Sequence, residues 1–245
     1  MIKIERLPLP DKAVSRLADE TDKVALVDDH DARLTIARVR WRSMSLRAPL
    51  RETLGRMAPG LERCMYCGDN QGTDIDHHEP MSRNPLRTFD WLNHLLACSL
   101  CNSHCKGDRY PVDAEGAALL IDPTVDDPFE HMTLALRTGE YVEITEKGDH
   151  TIRTCRLNRE ILTKGRVNAR AVFTIWLRNL AAAGDRGDDV ATAEVVQLIH
   201  EQPFADVCQS MLRQALSPTA EIVFGDDPST LALLRSEPVR ARLLR

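Results

Sequence analysis

The sequence predicts an α+β chain that is mostly helical, with a compact module at its centre. Three observations carry this. Two Cys-x-x-Cys pairs, Cys64/Cys67 and Cys98/Cys101, stand 30 residues apart and enclose turn-rich sequence. A stretch with strand-like alternation follows, "EHMTLALRTGEYVEITEKGDHTIRTCRL". Both ends of the chain show apolar residues at helical spacing. The 245 residues suit a small core with additions at both ends. We divide them into a helical region (1–61), the central module (62–112), a small antiparallel β meander (113–156) and a second helical region (157–245).

Each element has its own signal. Residues 11–21 read as a short helix. The segment "DARLTIARVRWRSMSLRAPLRETLGRMAPG" reads as one or two helices, broken near Pro49 and ended by Pro59-Gly60. "GTDIDHHEP" runs from a turn into a short strand and stops at Pro80. The meander is expected to turn at Thr138-Gly139 and at Lys147-Gly148-Asp149. From Asn158 onward the pattern is helical. Phe173, Trp176, Leu177 and Leu180 share one face, Gly184 and Gly187 break that helix, and further helices are suggested from Asp189, Phe204 and Pro228. Apolar residues make up 43% but aromatics only 4%, so the core must lean on Leu, Val, Ile and Ala.

Composition narrows the function. No apolar run approaches ~18 residues, so no membrane span is expected. The N-terminal sequence has no long apolar region, which predicts a cytoplasmic protein. In that reducing compartment the seven cysteines are not first read as disulfides. Net charge is −5, yet it is segregated. Ala32–Arg63 holds eight arginines against Glu52 and Glu62; Thr151–Leu180 holds seven basic residues against Glu160; between them, Asp113–Asp149 holds ten acids against Arg137 and Lys147. Two basic segments flanking the module predict contact with a phosphate backbone; their alternative is ordinary solvated helix faces.

The cysteine pairs predict zinc. A tetrahedral Zn²⁺ takes four thiolates, and a two-residue spacer lets both sulfurs of a knuckle face one ion. Four sulfurs close the site, so this zinc is structural. Cys105 and His104 belong to no knuckle and read as helix core or surface. Cys155 and Cys208 read as buried thiols.

Between and just after the pairs lie Asp76-His77 with Pro80 three beyond the histidine, Asn93, and Asn102 directly after the second knuckle. With the framing cysteines, these residues resemble the HNH, or ββα-metal, endonuclease family over roughly Cys64–Lys106. "CNSHCKGDRYP", "LLIDPTVDDP" and "CRLNREIL" extend the likeness, to about residue 165, towards HNH nuclease subunits of Septu-type anti-phage defence systems and retron-associated HNH proteins. The resemblance implies a ββα-metal fold and metal-dependent hydrolysis of DNA. It makes His77 the general base, Asp76 and Asn102 the ligands of a catalytic ion, and Asn93 the residue that ties the loop so His77 faces the phosphate. An Asp/Asn pair of hard oxygen ligands suits Mg²⁺ or Mn²⁺. An ATPase subunit is the implied partner, with a homodimer left open.

The remaining polar residues have plainer readings. Lys106, Arg83 and Arg87 are candidate nucleic-acid contacts, against solvated surface positions. Asp74 reads as a turn residue or support for a ligand. His78 points away from His77 if the segment is a strand. Glu79 and His94 read as exposed or capping, and Asp126 and Asp127 as turn residues. The rival functions are a non-catalytic zinc module that binds nucleic acid or protein, and a stand-alone restriction-type nuclease.

Overall fold

A computed structural model describes residues 1–244. The chain is α+β and mostly helical, with two small antiparallel sheets.

Three helices open the chain: α1 (Asp11–Ala25), α2 (His30–Ser43) and α3 (Arg47–Met57). Asp29 caps α2 by accepting from the Ala32 N–H. The α2–α3 break falls at Met44–Leu46 and not at Pro49, which is the third residue of α3. A proline is tolerated there because the first four N–H groups of a helix have no intrahelical partner. These helices bury Leu17, Val24, Ala37, Trp41 and Leu50 in a core of their own, closed on the other side by Phe89.

The central sheet is a two-stranded ladder, β1 (Asp74–His77) against β2 (His94–Ala97). Its register pairs Asp74 with Ala97, Ile75 with Leu96, Asp76 with Leu95 and His77 with His94. Two 3-10 turns, Pro85–Phe89 and Trp91–Asn93, fill the connection. A π-helical segment, Leu100–Lys106, follows β2 directly. Single π turns inside proteins are rare and cluster at functional sites. Ile75 and Trp91 pack against both the N-terminal core and the main core, so β1 sits at the seam between them.

The second sheet is shorter than expected. Strands β3 (Met132–Ala135) and β4 (Glu140–Glu143) form a hairpin through Thr138-Gly139, where Gly139 adopts φ 74°. A single-turn helix, α4 (Pro128–His131), precedes it, with Asp127 as its cap. The second predicted turn, Lys147–Asp149, lies instead inside α5 (Glu146–Thr154). Thr145 accepts from the Gly148 N–H and so starts a helix where the Lys-Gly-Asp triplet suggested a turn.

The C-terminal third is helical as the periodicity predicts. The 26-residue α6 (Glu160–Asp185) buries Phe173, Leu177 and Leu180, leaves Trp176 partly buried, and ends before Gly187 at φ 65°. Helices α7 (Asp189–Glu201), α8 (Ala205–Gln214), α9 (Ala220–Val223), α10 (Pro228–Arg235) and α11 (Glu237–Leu243) follow; the one-turn α9 carries no sequence signal. Their buried faces join the cysteines and β2 in one core. The Phe204 N–H donates to the carbonyl of Gly68, in the turn of the first knuckle, at 2.8 Å. Gly68 itself has φ 70°, a backbone conformation that favours glycine.

No described helix is long and apolar enough to cross a membrane.

Candidate active site

The four knuckle cysteines come together as the spacing requires. Cys64, Cys67, Cys98 and Cys101 are buried, and their sulfurs all lie within 4.8 Å of one another. Cys67 Sγ and Cys98 Sγ are 4.0 Å apart, close to the S···S separation of about 3.8 Å that a tetrahedron of Zn–S bonds implies. The surroundings suit thiolates. The Cys101 N–H and Asn70 Nδ2 face Cys98 Sγ at 3.5 and 3.7 Å, and Arg159 Nη2 faces Cys101 Sγ at 3.6 Å. Hydrogen bonds within the cluster drive Cys98 down and Cys101 up from the ordinary thiol range. The group fits a metal such as zinc. Cys155 and Cys208 are buried thiols, and so is Cys105.

The second set of polar residues gathers along β1. Alternation sends Asp74 and Asp76 to the side of the π-helical segment, and Ile75 and His77 to the side of α2. Asp76 is 3% exposed; Tyr66 Oη donates to its Oδ2 at 2.6 Å and Lys106 Nζ to its Oδ1 at 3.1 Å. Asn102 donates to Asp74 Oδ2 at 3.2 Å. Asp76, His77 and Asn102 line one cavity of 250 Å³, together with Arg38, Trp41, Lys106 and Asp108. A neighbouring cavity of 530 Å³ shares Trp41, Ile75 and Asn102 with it and adds Asp74, Arg47 and Arg51.

His77 is held on three sides. Its Nε2 lies 2.9 Å from the Thr88 carbonyl. A carbonyl only accepts, so Nε2 carries the proton and Nδ1 keeps the lone pair. Nδ1 has no hydrogen-bond partner among the described residues. The ring meets Trp41 edge-on at 4.6 Å and His94 at 4.9 Å. Burial, with His94 and Lys106 nearby, pushes its pKa down to about 3 against the pull of Asp76 and the Thr88 bond. The imidazole is therefore neutral, and a phosphate brought beside it would raise its basicity.

Asn93 is 1% exposed and uses its whole amide. Oδ1 accepts from the Glu79 N–H at 2.7 Å; Nδ2 donates to the carbonyls of Glu79 and Arg87 at 3.0 and 3.1 Å. It thus staples the loop between β1 and β2, the loop that also presents the Thr88 carbonyl to His77.

Several expected positions differ. Lys106 is 1% exposed, so it does not reach into solvent as a phosphate contact would. Arg83 and Arg87 are tied down: both pair with Glu79, Arg87 also with Asp90, and Arg83 lies over Tyr110. Glu79 is accordingly half-buried and not exposed. His94 is fully buried, because its register opposite His77 turns it inward. The second basic segment is largely neutralised: Arg153, Lys164, Arg170 and Arg178 pair with Asp149, Glu160, Asp226 and Asp227, and the buried Arg166 with Asp206. In the first basic segment, exposed Arg38 and Arg47 make no ion pair among the described residues, and each lines one of the two cavities.

Other positions agree. His78 turns away from His77 and meets Tyr110 edge to face at 5.5 Å. Asp74 supports Asn102. Asp127 caps α4, and Asp126 accepts from the Asp122 N–H in a turn.

Trp41, Tyr66, Thr88 and His94 have no motif that marks them. Only the contact they make with Asp76 and His77 identifies them.

Asp76 and Asn102 offer oxygen atoms to a hard cation. A carboxylate has about four lone-pair positions, and Lys106 and Tyr66 use two of Asp76's. Both residues line the same cavity, and oxygen donors of this kind suit a hard cation such as Mg²⁺ or Mn²⁺. No family model matches this chain, and neither a curated protein nor a solved structure matches it.

Proposed function

We propose that this protein is a metal-dependent endonuclease of the HNH type that hydrolyses phosphodiester bonds in DNA. One observation supports it above the others: a histidine with a free Nδ1 lone pair shares a small cavity with an oxygen-ligand pair drawn from two separate elements. The resemblance assigns the same three residues.

The chain's own residues divide the work. His77 Nδ1 takes a proton from the attacking water, while the Thr88 carbonyl holds the ring's other face in place. Asn93 keeps that carbonyl where His77 needs it. Asp76 and Asn102 would hold Mg²⁺ or Mn²⁺. When bound, such an ion supplies charge neutralisation on the phosphate and the leaving 3′ oxygen. Arg38 and Arg47 approach the flanking phosphates. The zinc cage fixes the ends of β1 and β2 on which this geometry depends.

We extend the proposal to a defence role in which an ATPase subunit restrains the nuclease. It rests on the resemblance; Ile175, Val190 and Ile222, on three different C-terminal helices, are exposed apolar residues open to a partner.

The test is plasmid cleavage in Mg²⁺ or Mn²⁺. The protein should nick or linearise DNA, and His77→Ala should lose cleavage while keeping its zinc and its melting temperature. Undiminished cleavage by that variant would sink the assignment of the base. Binding without cleavage in either protein would favour a non-catalytic zinc module.

A further inference from the structure

Lys106 is among the largest fully buried side chains of the protein. The π-helical turn delivers it under β1, where Nζ donates to the His77 carbonyl at 2.8 Å and pairs with Asp76 Oδ1 at 3.1 Å. A buried ammonium is unfavourable unless it is paired and hydrogen-bonded, and Asp76 is its one ion-pair partner among the described residues. The two charges cancel. The other charged residues lining the cavity, Arg38 and Asp108, also cancel, and Asp74, which accepts from Asn102, shares the neighbouring cavity with Arg47. A divalent cation entering this cavity alone meets no net negative charge.

We propose that Lys106 is a positioning residue that couples metal binding to substrate binding. It aims Asp76 and neutralises it, so that a divalent ion is held well only when a nucleic-acid phosphate brings the negative charge that Lys106 offsets. The inference rests on the nuclease reading, with Asp76 and Asn102 as ligands. It gives a physical reason for a nuclease to stand idle in metal-containing cytosol: the ion and the substrate must arrive together.

The experiment is a titration of Mn²⁺ into the zinc-loaded full chain carrying His77→Ala, which cannot consume the DNA, with and without a short oligonucleotide. Asp76→Asn in the same background identifies the relevant Mn²⁺ site. DNA should tighten Mn²⁺ binding about tenfold or more, and Mn²⁺ should tighten DNA binding by the same factor. Lys106→Gln, which keeps hydrogen-bonding capacity without the charge, and Lys106→Met should bind Mn²⁺ without DNA about tenfold tighter than the parent and lose most of that coupling. Equal Mn²⁺ affinity with and without DNA in the parent overturns the inference whether or not the variants fold. So does a pair of folded variants that bind Mn²⁺ no tighter than the parent. Either result leaves the nuclease reading standing. A parent that binds neither Mn²⁺ at Asp76 nor DNA overturns both.

Discussion

His77 and His94 stand opposite one another on the β1–β2 ladder, and both donate their Nε2 proton to the same acceptor, the Thr88 carbonyl, each at 2.9 Å. The two rings meet edge to face with Trp41 against both. This arrangement fixes the tautomer of His77 and makes one backbone oxygen responsible for its aim.

Burial holds both rings neutral, with pKa values pushed down to about 3 for His77 and about 4 for His94. In the unfolded chain each titrates near 6.5, so acid protonates the unfolded state first and pulls the equilibrium towards it. Stability should be flat above pH 7 and fall as pH drops below 6.5, by about 2 kcal/mol per histidine at pH 5. Denaturant unfolding at pH 5 and pH 8 reads this directly. His94→Phe should flatten part of the profile, since it removes one of the two groups; an unchanged slope would refute the assignment.

Asn93→Ala removes three hydrogen bonds and strands the Glu79 N–H inside the loop. We expect a loss of about 2–3 kcal/mol in stability. We also expect cleavage to fall more than tenfold through kcat, because the Thr88 carbonyl drifts and His77 with it. A fall confined to KM would argue that the loop touches substrate directly.

The protein should bind zinc, measured by elemental analysis, and Cys98→Ser should abolish that binding. Structural zinc contributes on the order of 10 kcal/mol to the folding of small modules. Here the cage shares its core with β2 and the C-terminal helices, so its loss should broaden and lower the thermal transition of the whole chain. A variant that lost zinc and melted like wild type would show the cage to be dispensable.

Arg38→Ala and Arg47→Ala should each weaken DNA binding at low salt and reduce the slope of log affinity against log salt by about one. Arg170→Ala and Arg178→Ala should leave that slope unchanged, because their charges are already matched by Asp226 and Asp227. Fluorescence anisotropy across a salt series separates the two pairs; equal effects would move the DNA path to α6.

The sequence by itself determined the grouping of the four knuckle cysteines, the short strand through Asp76-His77 and the helical ends; the pairing of Asp76 with Asn102 as candidate ligands came from the family resemblance. The first three rest on local spacing, which survives in one dimension: a two-residue knuckle and a period of two or 3.6. Tertiary structure alone decided which charges are free and which are spent. In the sequence Lys106 reads as a nucleic-acid contact or a solvated lysine and His94 as exposed or capping, yet both are buried; burial depends on the register of β1 with β2 and on how the π-helical segment packs, and neither is written in any local pattern. The same holds for Arg38 and Arg47. Only folding reveals that Asp126, Asp127, Asp226 and Asp227 pair with other residues, while Arg38 lines the cavity of His77 and Arg47 the one beside it.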